Sequence, residues 1–234
     1  MKAVFLAAVA LCPLLPAPAV ADEAPSPPPR FDWSGLYFGI NGGGAAGDTT
    51  IGTSGSGNVL LNGLQFQYGS TGSVVGATAG YNIQFDRLLI GIEADGGWAN
   101  IAGANPPFAV GGEPTIISTE LEWLATLRAR AGFVLDRFLI FGTAGLAAGG
   151  LSGVVTNFPH DFMTTSVAGT QYGFVVGAGA EIAVTRNFSA KVEYLHVDLG
   201  TKDYFLASGD PNGLNAAFHP KADLIRFGVN YRFP

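Results

Sequence analysis

Apolar and polar residues alternate along most of the chain with a period of two, which predicts β-strands rather than helices. The clearest stretch is 170–184, where Tyr172, Phe174 and Val176 share one face and Glu181 lies on the other. The alternation recurs in seven more segments, namely 33–47, 74–85, 88–97, 119–135, 138–150, 188–199 and 222–233. In the segment from 138 to 150 both faces are apolar or small, so its register stays open.

Charged residues within these segments fall on the face opposite the large apolar side chains. A membrane-crossing strand needs about 9–11 residues with apolar side chains toward lipid, and a charge on that face costs about 2–4 kcal/mol at mid-bilayer. We therefore predict that the apolar face meets lipid and that the charged face lines the interior of a barrel. The predicted interior charges are Glu93, Asp95, Glu120, Glu122, Arg128, Arg130, Glu181, Lys191, Glu193, Arg226 and Arg232.

Short turns and long connections alternate between the predicted strands. Asp86-Arg87, Asp136-Arg137 and Arg186-Asn187 recur every 50 residues and each separates two strands. The other connections are long, polar and glycine-rich and cover 48–72, 100–118, 151–169 and 200–221. Short periplasmic turns and long outer loops are typical of outer-membrane barrels. The sequence predicts an all-β, eight-stranded antiparallel transmembrane up-and-down β-barrel.

The N-terminal region has the features of an export signal. Lys2 precedes an apolar stretch over 3–15, and Ala19-Val20-Ala21 is a small-residue cleavage site. We predict a signal peptide over 1–21, a proline-rich periplasmic spacer over 22–32, and a barrel domain over 33–234 in the outer membrane. Acylation at Cys12 is disfavoured because Leu11, rather than a small residue, precedes it. Cys12 is the single cysteine, so the exported protein is expected to have no disulfide.

Composition agrees with a membrane barrel. Hydrophobic residues make up 48% and charged residues 13%, yet beyond the N-terminus no apolar run approaches the roughly 18 residues of a spanning helix. The net charge of −6 gives no indication of nucleic-acid binding. Seven aromatic residues are candidates for the girdles at the membrane interfaces, namely Trp33, Tyr37, Trp123, Tyr172, Tyr194, Tyr204 and Tyr231.

Three segments resemble one known family. Phe31–Gly39 is similar to the W-[ST]-G-x-Y-x-G opening of the small outer-membrane barrels of the opacity-protein and OmpA-like superfamily, which includes the porin-family surface antigens of 25–31 kDa from alphaproteobacteria. Lys191–Gly200 resembles its seventh strand, and Phe227–Phe233 resembles its closing strand. The family ends on the aromatic residue, whereas here Pro234 follows.

The predicted protein has a structural or surface role, and the long loops leave its form open, since envelope integrity, adhesion, exposure as an antigen and ligand capture all fit. We expect outer-membrane lipid and lipopolysaccharide as surroundings, the barrel-assembly machinery as a partner during biogenesis, and contacts of the proline-rich spacer with peptidoglycan or of the loops with a host surface. Val229, Tyr231 and Phe233 are the implied assembly signal. We expect no cofactor and no metal site.

The interior charges allow two interpretations. An eight-stranded barrel is just wide enough to be filled by side chains, so paired charges would form a plug. The alternative is a narrow, gated, porin-like ion path. His160 and His219 lie in two of the long loops, so binding of a ligand such as haem by these loops is a further alternative. His196 and Asp198 could form a catalytic pair, but no serine lies beside them on that strand, so we expect no enzyme. A soluble lipocalin-type carrier would instead bury Trp123, Phe174 and Phe227.

Overall fold

The computed structural model describes residues 31–54, 63, 65–110, 113–157, 165–205 and 215–233. The predicted signal peptide, the spacer up to residue 30, Cys12, His160 and Pro234 lie outside the described residues. Within the described ranges, no helix is long and apolar enough to cross a membrane.

One antiparallel sheet contains all the described strands and closes on itself. The strands are β1 (Gly35–Ser54), β2 (Gln65–Phe85), β3 (Leu88–Ala104), β4 (Phe108–Val110), β5 (Glu113–Leu135), β6 (Phe138–Asn157), β7 (Thr165–Ala183), β8 (Phe188–Asp198), β9 (Lys202–Phe205) and β10 (Asn215–Arg232). Each long strand pairs with its neighbours in chain order, and β1 also pairs with β10 from Tyr37↔Arg232 to Ser54↔Asn215. The predicted all-β up-and-down barrel is confirmed.

The strand count differs from the prediction by one short strand. In the described part of the chain, nine strands lie along the hydrogen-bonded path around the sheet, whereas eight were predicted. The additional strand is β9, which pairs with the first residues of β10 beyond the end of β8. β8 and β9 therefore occupy one position of an eight-position ring, separated by a break at Leu199–Thr201. β4 pairs only with β5, beside this path.

Asp198 stabilises the break between β8 and β9. Its carboxylate accepts hydrogen bonds from the Gly200 N–H at 2.9 Å and from His219 Nε2 at 2.8 Å, and pairs with Lys221 Nζ at 3.1 Å. Gly200 has a φ of +67°, which a glycine adopts without strain. These contacts fix the point at which the chain leaves β8 and re-joins the wall as β9.

Asp198→Asn is expected to loosen this break while the barrel below stays folded. The amide cannot accept from Gly200, His219 and Lys221 with the strength of a carboxylate, because charge-assisted hydrogen bonds are roughly twice as strong as neutral ones. Hydrogen exchange of 199–205 should become faster by about three- to tenfold, which corresponds to the ~1 kcal/mol typical of a lost hydrogen bond. Asp203→Asn is the exposed control, and equal exchange in the parent and in Asp198→Asn would contradict this role.

The predicted short turns are present at one end of the barrel. β2 joins β3 and β5 joins β6 through two residues, while 184–187 connect β7 to β8. Asp86 and Asp136 have φ values of 53° and 54°. Two-residue hairpin loops require positive φ, and aspartate tolerates the left-handed region better than most residues. The two Asp-Arg turns are therefore suited to their positions.

The long connections were predicted too long. β1 has 20 residues and β5 has 23, roughly twice the 9–11 that cross a membrane, so half or more of each predicted loop is strand. In these extensions the pattern inverts, because large apolar side chains face the interior and polar ones face outward. The inward group is Ile51, Tyr68, Ile117, Leu151, Tyr204 and Phe218. The strands were predicted from apolar residues on the lipid-facing side, so the extensions, in which that side is polar, were predicted as loops.

The outward face of the lower wall is an apolar band. Ile92 is 61% exposed, Phe174 49% and Phe227 65%, as predicted for lipid contact. These exposures exclude a lipocalin-type cup, which would bury Phe174 and Phe227. The undecided strand β6 has Leu139, Phe141 and Thr143 inside, and the alternate residues outside.

Candidate functional site

Eight buried charged side chains meet inside the lower half of the barrel and form the candidate site, here called the charge cluster. Each is at most 7% exposed. Four carboxylates face four cations, so the formal net charge of the cluster is zero. The members are Glu93, Asp95, Glu181 and Glu193 with Arg128, Arg130, Lys191 and Arg226.

Strand register places opposite charges side by side. Glu93 on β3 lies opposite Arg128 on β5, Glu181 on β7 lies opposite Lys191 on β8, and Glu193 on β8 lies opposite Arg226 on β10. Residues directly opposite in an antiparallel pair have Cβ atoms about 4.5–5.5 Å apart. A register shift of one residue would turn these side chains toward lipid. The strand register therefore places the charges inside, and the cost of exposing them to lipid in turn favours this register.

Arg128 lies at the centre of the cluster. Its guanidinium contacts Glu93 at 2.5 Å, Asp95 at 2.7 Å and Glu193 at 3.1 Å. Asp95 also accepts a hydrogen bond from Thr126 Oγ1 at 2.6 Å. One cation thus joins carboxylates from β3 and β8, which lie on opposite sides of the interior.

Arg226 and Lys191 close the ring of contacts on the other side. Arg226 pairs with Asp95 at 2.7 Å and with Glu193 at 2.6 Å. Lys191 Nζ pairs with Glu93 at 3.0 Å and with Glu193 at 3.5 Å. Glu93, Asp95 and Glu193 each contact at least two cations, so no acid in this part of the cluster depends on a single partner.

A second group of contacts extends the cluster toward the periplasmic turns. Arg130 pairs with Glu181, and its guanidinium lies 4.0 Å from the centre of the Phe141 ring. Glu181 also accepts hydrogen bonds from Ser189 at 2.5 Å and from Asn230 at 2.8 Å. Tyr37 links the two groups, because its hydroxyl donates to Glu93 at 2.7 Å and accepts from Arg130 at 3.0 Å.

Apolar layers enclose the cluster from both ends. The lower layer packs Trp33, Leu89, Val134, Leu139, Phe141 and Ala183. The upper layer includes Val74, Leu124, Val175, Leu195 and Leu224, and the inverted strand extensions add a further layer above it. The gap beside Ile101 and Leu124 measures about 20 Å³, room for about one water molecule. In the described residues, layered side chains fill the interior.

Three of the predicted interior charges do not belong to the charge cluster. Glu120 and Glu122 are exposed on the outer surface, so their interior assignment is corrected. The reason is a β-bulge between Leu121 and Trp123, which reverses the alternation of β5 above it and turns Leu121 inward. Arg232 is buried, but it donates to the Arg186 carbonyl at 2.8 Å and stacks on Phe31 and Trp33 instead of joining the cluster.

Three of the seven candidate girdle residues need correction. Trp33, Tyr37 and Tyr204 are buried in the interior, whereas Tyr172 and Tyr194 are exposed on the outer wall. Sequence reasoning missed Tyr37 as a member of the cluster, although its inward parity in β1 was the signal that could have identified it. Thr126, Ser189 and Asn230 were missed because neutral polar residues of inward parity are common in every barrel strand.

In the described part of the chain, His196 does not pair with Asp198. His196 Nδ1 lies 2.8 Å from Asp223, which also accepts from Tyr194, while Asp198 binds His219. His196 and Asp198 thus face separate partners. Within the described ranges, no group of three or more His, Cys, Asp or Glu side chains is arranged to hold a metal ion.

The predicted assembly residues lie on the outer wall at the C-terminal end of β10. Val229, Tyr231 and Phe233 are 50%, 37% and 44% exposed. Phe233 packs edge-to-face on Phe38 at 5.8 Å and on Tyr231 at 5.0 Å. Their role as an assembly signal stays a prediction.

Comparison with known proteins gives a consistent result. A family model described as "Outer membrane protein beta-barrel domain" matches residues 5–233. The chain is 34% identical over 257 residues to the 31 kDa outer-membrane immunogenic protein of Brucella melitensis biotype 1, with both chains covered completely. Its fold resembles the outer membrane protein OprG of Pseudomonas aeruginosa, with a TM-score of 0.50, 13% identity and coverage of 86% and 98%. It also resembles the outer membrane protease OmpT of Escherichia coli, with a TM-score of 0.53, 10% identity and coverage of 85% and 97%.

Proposed function

Because the chain belongs to the outer membrane protein β-barrel domain family, and is thus an outer-membrane β-barrel protein, we propose that it acts as a closed structural barrel with a role at the cell surface. In this role the lower wall anchors the protein in lipid and the upper strands project beyond it. The protein contributes to envelope integrity and presents its outer end as an antigenic or adhesive surface.

The balanced charge cluster is the observation that carries this proposal. A pore requires a continuous hydrated path, whereas here four carboxylates and four cations pair directly with each other. Apolar layers lie above and below them. Opening the interior would separate several buried ion pairs at once, and an unpaired buried charge is strongly unfavourable.

The projecting upper wall supports a surface role. Above the apolar band most outward side chains are polar, as at Asp48, Gln67 and Asn100, while the interior stays packed. Water-facing walls of this kind hold the outer connections clear of the lipid. The name of the Brucella relative, an immunogenic outer-membrane protein, also favours a barrel whose outer end is exposed.

Other functions have less support. The likeness to OmpT, at 10% identity, concerns the fold alone, and His196 and Asp198 do not pair, so we propose a non-enzymatic protein. Outer-membrane lipid and lipopolysaccharide surround the wall. We further propose that the barrel-assembly machinery reads Phe233, Tyr231 and Val229, and that the proline-rich spacer before the barrel reaches peptidoglycan.

A deletion strain tests the structural role. Loss of the protein should increase the entry of a hydrophobic dye through the outer membrane and the sensitivity to detergent. The parent gene should restore both, and so should a Glu122→Gln variant as a matched control, because Glu122 is exposed and outside the charge cluster. An unchanged barrier in the deletion strain, together with slower uptake of a small hydrophilic solute, would contradict the proposal and favour the porin-like alternative.

A further inference from the structure

The segment Phe31–Ser34, which precedes β1, crosses the periplasmic mouth of the barrel. β1 and β6 lie four positions apart in the eight-position ring, so the β5–β6 turn is on the far side of the mouth from β1. The Phe31 N–H donates to Asp136 Oδ1 at 3.3 Å, and the Trp33 indole N–H donates to the Asp136 carbonyl at 3.0 Å. The segment therefore spans the opening from one side to the other.

Trp33 fills the mouth below the charge cluster. It is 1% exposed and packs with Leu89, Phe141 and Ala183, and Phe141 in turn lies under the Arg130 guanidinium. Its backbone N–H donates to Gln84 Oε1 at 2.8 Å. Arg232 covers the segment from the rim, with its guanidinium 5.1 Å from the Trp33 ring.

The segment precedes β1 and takes no part in the β1–β10 pairing that closes the ring. Pairing of β1 with β10 is complete from Tyr37↔Arg232 upward, and the Phe233 N–H donates to the Leu36 carbonyl. Between the two parts lies Gly35 with a φ of +114°, a conformation that other residues rarely adopt. On the other side of β1, Gly35 pairs with Asn82 of β2, and the Gln84 N–H donates to Ser34 Oγ at 3.1 Å. Rotation near Gly35 would therefore free the segment at the cost of the Ser34 contact and at most this first pair, while the pairs from Leu36 upward stay intact.

We propose that Phe31–Ser34 is a detachable stopper of the periplasmic mouth, with Trp33 as its plug and Gly35 as its hinge. When the stopper is docked, the lower apolar layer is dry and the charge cluster is sealed from the periplasm. When it leaves, water and small periplasmic solutes reach the lower layer while the barrel wall stays closed.

A thiol at Ala183 reports whether the mouth is open. Ala183 is 3% exposed and packs in the lower layer with Trp33, and Cys12 is the single natural cysteine. Ala183→Cys is introduced into the 22–234 chain, refolded in lipid vesicles, and labelled with a small negatively charged methanethiosulfonate. With the parent stopper, labelling should be slow and should reach a limiting rate as reagent is increased, because opening precedes reaction.

Two stopper variants and one control complete the test. Trp33→Gly should raise the labelling rate by about tenfold or more, because the plug is lost. Gly35→Ala keeps every stopper side chain but strains the docked hinge, where the new Cβ also lies 3.4 Å from the Phe233 carbonyl, and should raise it by about tenfold. Gly44→Ala, in the same strand, adds a Cβ into open space and should leave it unchanged.

The labelling rates distinguish a detachable stopper from a segment that is a fixed part of the barrel. Each variant is first checked for the compact gel mobility of a folded barrel before heating. If Trp33→Gly does not fold, Gly35→Ala alone decides the outcome. Equal labelling in the parent and in folded stopper variants, or an equal increase in Gly44→Ala, would overturn the proposal. The closed-barrel proposal is tested by ion conductance and the stopper by thiol labelling, so the failure of one can be told from the failure of the other.

Discussion

Arg128→Met is expected to lower the free energy of unfolding by about 3–5 kcal/mol, the effect of removing one partner from a buried ion-pair network. Arg128 contacts Glu93, Asp95 and Glu193, and its side chain is fully buried. Methionine keeps most of the volume but leaves four carboxylates facing three cations. The measurement is the urea dependence of folded and unfolded gel mobility after refolding in lipid vesicles.

Two further variants show whether the loss comes from charge balance. Glu122→Gln on the exposed surface of the same strand should change the free energy of unfolding by less than about 0.5 kcal/mol. Adding Asp95→Asn to Arg128→Met restores three acids to three bases and should recover at least about 1 kcal/mol, since contacting residues couple by about 0.5–3 kcal/mol. An Arg128→Met protein as stable as the parent would show that the cluster contributes little to the fold.

Ile92→Arg should destabilise the barrel by about 2–4 kcal/mol, the cost of a charged side chain at mid-bilayer. Ile92 is 61% exposed near the middle of the apolar band on β3. Its replacement leaves the interior intact, since the neighbouring Glu93 points the opposite way. The same unfolding measurement in vesicles gives the size of the effect.

Asn100→Arg is the matched control for the lipid-facing position. Asn100 also faces outward on β3 but lies above the apolar band. Arginine there should change stability by less than about 0.5 kcal/mol, as at other surface sites. Equal losses at the two positions would mean that the band does not face lipid, and would contradict the assignment of the membrane-facing wall.

Alternation was sufficient to predict the barrel and most of its interior charges. In strands such as β7 and β10, a single parity continues from the periplasmic turn upward, so the pattern gives the inward face directly. Glu181 and Arg226 were found in this way. The strength of this signal comes from lipid, which excludes charges from one face of every crossing strand.

The same reasoning failed where the strands leave the lipid. Above the band, water replaces lipid outside and the apolar residues move to the interior, as Ile51 and Phe218 show. The bulge near Glu122 reverses parity within β5, and a sequence pattern does not reveal one extra residue in a strand. Trp33 was only a candidate for a girdle. Its burial could not be predicted from local sequence, because it depends on the far β5–β6 turn, a contact between residues 103 positions apart.

Paired charges and apolar layers close the interior of the barrel, and a conductance measurement tests this closure most directly. Purified protein, refolded and inserted into a planar lipid bilayer, should give no ion current above that of the lipid alone. Insertion is verified by protease protection and by the compact gel mobility of the recovered protein. Stable, stepwise conductance from inserted parent protein would contradict the closed barrel and would show that the charge cluster lines a path for ions.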